Sequence, residues 1–123
     1  MYPTPERASE ARSLQNLYAL STVLIAAALV AAALGSGNPD TPADAKLPAW
    51  VDVLANATCA LLAALVLLPT TRGVASAATA VMMVVSMITN YRVDGLEFFL
   101  RALPFNLVTL ALASWVAYRH LRS

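Results

Sequence analysis

Charged residues are scarce in this chain, and the scarcity decides its class. They make up 12% of 123 residues, against roughly 25% in an ordinary soluble domain. A fold this small has a high surface-to-volume ratio and must keep much of its surface polar in water. Too few charged side chains are present to cover that surface. Cysteine and histidine are almost missing as well: Cys59 lies inside an apolar run, and His120 is near the C-terminus. One cysteine excludes an internal disulfide. One Cys and one His exclude zinc, haem and iron–sulfur sites of the usual ligand sets, so neither metal nor cofactor is expected. A formal net charge of +1 leaves no basic footprint for nucleic acid. Lysine occurs once, as Lys46, beside seven arginines and abundant alanine. That bias resembles bacterial proteins from high-GC genomes, so a bacterial inner membrane is the expected location.

What is plentiful is apolar, 59% of the chain, arranged in long blocks rather than in alternation. Lipid is the natural solvent for such blocks, and the expected fold class is all-α: an integral membrane four-helix bundle forming a single domain. Thr4, Pro5 and Glu6 suit a helix cap, first turn and dipole, and a short interfacial helix is expected to lead into the first span, 17–34. At 1.5 Å per residue that span covers about 27 Å, close to the hydrocarbon thickness. Arg7 and Arg12 ahead of it also fit a signal peptide, but the apolar stretch exceeds the usual core of about 7–15 residues, so a retained helix is expected.

Gly35, Gly37, Pro39, Pro42 and Pro48 mark a loop. Span two covers 50–68, with Trp50 as interfacial anchor and Pro69 at its end. Residues 69–73 form a tight turn between antiparallel neighbours. Span three is 74–91, and span four is 96–118, closing on Arg119, His120 and Arg122. With both termini in the cytoplasm, Arg7, Arg12, Arg72, Arg119 and Arg122 lie inside and Lys46, Arg92 and Arg101 outside. Five against three sets the expected orientation.

Polar residues concentrate at the expected outer ends of spans two to four: Asp52, Asn56, Asn90, Arg92, Asp94, Glu97 and Arg101. Asp52 and Asn56 are four apart and share a helix face; Glu97 and Arg101 are also four apart, in the favourable order for an ion pair. Arg101 lies one to two turns into its span, where an unpaired charge is costly. Pro104 frees the carbonyl of Leu100, Asn106 follows half a turn later, and a broken helix beside a charge pair is one way to build a polar ligand site. The same residues also fit plain interfacial snorkelling. Met83 and Met87 share a face but read as packing rather than soft-metal ligands. The sequon at Asn56 falls inside a span and is discounted. Small residues four apart (Ala27 and Ala31, Ala28 and Ala32, Ala60 and Ala64, Ser76 and Ala80, Ala113 and Ala117) favour close helix approach, within a bundle or an oligomer.

Three function classes are compatible with this pattern. The first is a non-catalytic subunit or accessory component, partnered by other membrane proteins or by copies of itself. The second is a small oligomeric transporter or channel. Four-helix multidrug exporters are similar in size and span count, but they carry a glutamate in the first span, and 17–34 holds no acid. The third is an enzyme acting on a lipid or isoprenoid. Glu97 followed by Phe98 and Phe99 loosely resembles the acidic–diphenylalanine motif of heterodimeric lycopene cyclase subunits, which has a proline and two adjacent acids where one acid stands here. General acid chemistry needs the protonated form, whereas Arg101 one turn away favours the carboxylate. Size and span count also resemble the DoxX-like membrane proteins. The non-catalytic component is the leading expectation.

Overall fold

The computed structural model describes residues 5–34 and 47–122. Four long helices account for nearly all of them: α1 (Pro5–Leu34), α2 (Ala49–Leu67), α3 (Arg72–Thr89) and α4 (Leu96–Arg122), with a π-helical turn (Asn90–Asp94) between the last two. No strand occurs among the described residues. α1 packs on α2 and α4, and α3 packs on the same two, most extensively on α4. The helices therefore form a closed ring. Each is long and apolar enough to cross a membrane.

The helix boundaries follow from local chemistry. α2 begins after Pro48, whose carbonyl accepts from the Val51 N–H at 3.0 Å. It stops at Leu68, held extended (φ −84°, ψ 129°) by the proline that follows. The last carbonyls of a helix have no partner within it, and in hydrocarbon no water replaces one. Here α3 supplies the donors. Thr71 Oγ1 donates to the Leu65 carbonyl at 2.7 Å, and Arg72 donates to those of Val66 and Leu67 at 2.9 and 3.0 Å. Between α3 and α4 the chain reverses at Gly95, whose φ of 97° is a left-handed conformation disfavoured for residues with a Cβ. The Phe99 N–H then donates to the Gly95 carbonyl at 3.0 Å, opening α4.

The exterior is apolar, unlike that of a water-soluble bundle, and several polar side chains are buried. Leu20, Leu24, Leu61, Val81, Leu107 and Val108 face outward, while Ser21, Thr22, Ser76, Thr79, Asn106 and Thr109 are buried. Thr22, Thr58 and Thr79 each donate to a carbonyl four residues back, which satisfies a hydroxyl that has no water to turn to. An apolar exterior of this extent defines a small multi-pass membrane protein.

Several expectations need adjustment. The first span and the N-terminal segment form one uninterrupted helix rather than two elements. α3 starts two residues before 74 and is prolonged by the π-turn, and α4 reaches Arg122. Pro104 does not break α4, which runs continuously through it; the broken-helix expectation fails because neighbouring contacts and local adjustment carry a transmembrane helix past a proline. The cap at Thr4 and the loop residues Gly35, Gly37, Pro39, Pro42 and Lys46 lie outside the described residues.

Candidate functional site

The two halves of the bundle are built differently. Toward the end where α3 begins and α4 finishes, the interior is filled by Ile25, Leu29, Cys59, Leu62, Val66, Ala75, Ala113 and Val116. α3 and α4 approach closely there: a Cβ on Gly73 would meet His120 Cδ2 and a Leu121 methyl at 2.8 Å. Toward the other end the helices leave a half-open cavity of about 450 Å³.

All four helices contribute to the cavity wall. α1 gives Ala31 and Ala32, α2 gives Val51, Asp52 and Ala55, and α4 gives Phe98, Ala102, Phe105 and Asn106. The alanines leave room where larger side chains would close it. From α3 and the π-turn come Met82, Ser86, Asn90 and Asp94, spaced by four. In an α-helix each step of four drifts by about 40° around the axis; the wider π-turn counters that drift and keeps Asn90 and Asp94 on the cavity side.

Asn106 marks the deep end of the site. It lies ten residues beyond the start of α4 at Leu96, about 15 Å along the axis. It is 5% exposed, and its Nδ2 has no hydrogen-bond partner. An unpaired buried donor costs about 1–3 kcal/mol, so its persistence at a cavity wall needs a reason. Ser76 Oγ is the other unpartnered buried atom among the described residues, but Ser76 does not line the cavity.

The residues singled out in the sequence divide into two groups. Asp52, Asn90 and Asp94 line the cavity. Asn56, Arg92, Glu97 and Arg101 do not. Glu97 and Arg101 do form the ion pair that their spacing predicts, at 2.6 Å, but it is a surface feature, with side chains 83% and 74% exposed. The inward stripe of α4 passes through Phe98, Ala102 and Asn106, and the pair sits beside it. Asn56 is half-buried one turn beyond Asp52 and makes an interaction within the protein. Among the described residues no three His, Cys, Asp or Glu side chains come together as a metal site.

A second constellation, at the filled end, has no counterpart in the sequence reading. The Tyr18 hydroxyl and His120 Nδ1 share a hydrogen bond of 3.0 Å. The Tyr18 ring meets Trp115 edge-on at 6.3 Å and lies under the Arg72 guanidinium at 5.7 Å. Arg119 stacks on Trp115 at 5.5 Å, and Arg122 pairs with Tyr118. These groups are occupied with one another and tie α1, α3 and α4 together; the cluster is a clamp rather than a site.

No family model, curated protein or solved structure matches the chain significantly. Its class therefore rests on its own helices: a four-helix, multi-pass membrane protein, hollow at one end.

Proposed function

We propose that this protein is a non-catalytic membrane component that binds a small molecule between its helices, in the half of the bundle facing away from the cytoplasm. The observation that carries this reading is the cavity floored by Asn106, whose buried amide lacks a partner that a ligand would provide. Ligand sites are concave, largely apolar and furnished with few polar groups that fix orientation, and this cavity has that composition. The excess of arginines at the filled end supports a cytoplasmic position for both termini. Partner helices, or a second copy, would find exposed small-residue faces at Ala27 and Ala31 on α1 and at Ala60 and Ala64 on α2, whereas Ala113 and Ala117 are already used inside.

Gentle extraction from native membranes followed by native mass analysis tests this. The intact protein is expected to carry a bound small molecule, and Ala102→Phe, which narrows the cavity beside Asn106, is expected to release it while the helices remain folded. Retention of the molecule by that variant overturns the binding reading. Solute flux through liposomes containing only this protein would replace it with transport, and turnover of the molecule would replace it with catalysis.

A further inference from the structure

We propose that the ligand is an organic cation with an apolar body and a hydrogen-bond acceptor at its buried end. This rests on the cavity being a binding site. Two carboxylates, Asp52 and Asp94, lie on its wall, and no basic residue among the described residues does. Arg101 lies off the wall and is held by Glu97, and Arg92 is exposed. Asp94 is already engaged within the protein, so Asp52 is the first charge partner for an incoming cation.

Position separates the chemistry along the cavity. Asp52 sits in the first turn of α2 and Asp94 immediately before Gly95, so both carboxylates belong to the mouth. Asn106 is about 15 Å deeper than the start of α4 and offers a donor, Nδ2, with nothing to accept it. Between them the wall is mainly apolar, with Ala31, Ala55, Met82, Val85, Phe98 and Phe105, and the hydroxyls of Ser86 and Thr89 interrupt it. An anion would meet two carboxylates at the entrance, and a neutral molecule gains nothing from them. A zwitterionic phospholipid would bring its phosphate beside Asp52. The ligand therefore carries net positive charge at the mouth and an ester, ketone, ether or amide oxygen at the floor.

The test uses the full chain in phosphatidylcholine nanodiscs, with calorimetric titration corrected for empty discs. Three probes share a twelve-carbon chain: an aminododecanoate methyl ester with the amine at the chain end, dodecylamine, and methyl dodecanoate. The amino ester is expected to bind at least about tenfold more tightly than either single-ended probe, as one charge-assisted contact allows. Asp52→Asn should reduce it to the level of methyl dodecanoate, Asp52→Glu should preserve the preference, and Asn106→Leu should reduce it to the level of dodecylamine. If methyl dodecanoate binds as tightly as the amino ester and loses affinity in Asn106→Leu, the cationic inference is overturned and the binding function stands. If the amine's advantage survives Asp52→Asn, the assignment of Asp52 is overturned. If none of the three binds saturably, the cavity is not a ligand site and both readings fall.

Discussion

Tyr18 and His120, 102 positions apart, share a hydrogen bond of 3.0 Å that joins side chains of the first and last helices. It is seated on the edge of Trp115 and beneath Arg72. Removing only the hydroxyl, by Tyr18→Phe, should cost about 0.5–1.5 kcal/mol. Tyr18→Ala also removes the ring contacts and should cost about 3–5 kcal/mol, at the scale of losing a packed aromatic. Unfolding equilibria in mixed micelles would show the two steps; equal losses would mean that the hydrogen bond alone holds the clamp.

The same clamp depends on Gly73. A methyl there collides with the His120 ring and Leu121, and overpacking typically costs about 1–3 kcal/mol. Replacing a helical glycine returns only about 0.5–1 kcal/mol, so Gly73→Ala should be net destabilising and Gly73→Val more so. The check is thermal unfolding of both variants in one detergent; a stabilised alanine variant would show that α4 shifts freely.

Asn106 should separate stability from function. Asn106→Leu replaces an unpaired buried amide with an apolar group of similar size. It should raise ligand-free stability by about 1–3 kcal/mol while reducing binding of the amino ester to the level of dodecylamine. Sites that hold function at the expense of stability behave this way. A variant that is both less stable and binding-deficient would instead make Asn106 a structural residue.

The Glu97–Arg101 pair should matter little. Exposed i,i+4 pairs contribute below about 1 kcal/mol. A double-mutant cycle of Glu97→Gln and Arg101→Ala is expected to give a coupling energy in that range, falling as salt is raised. Coupling above about 2 kcal/mol would place the pair in a drier environment than its exposure indicates.

The spans were legible because hydropathy and length are local quantities, and lipid permits few alternatives for a backbone that must satisfy its own polar groups. The Glu97–Arg101 pair was legible for the same reason, since helical spacing alone brings it together. The clamp was not, because Tyr18 and His120 meet only once the ring of helices closes. The cavity was half-legible: Asp52, Asn90 and Asp94 stood out as polar residues at span ends. Their separation from Glu97 and Arg101 depends on which face of α4 turns inward, and on a π-turn that no residue type announces. Asn106 was visible as a polar residue after Pro104, but the empty volume beside it comes from alanines on α1, α2 and α4 itself.

The apolar exterior of the bundle changes what unfolds it. Because Leu61, Val81 and Leu107 already face outward, pulling the helices apart in a bilayer exposes little apolar surface to water. The slope of stability against urea scales with newly wetted area, so urea should have little to act on. The effective denaturant is one that competes for helix-to-helix contacts, such as an anionic detergent. Toward it the filled half should be the last to yield, and the hollow half the first.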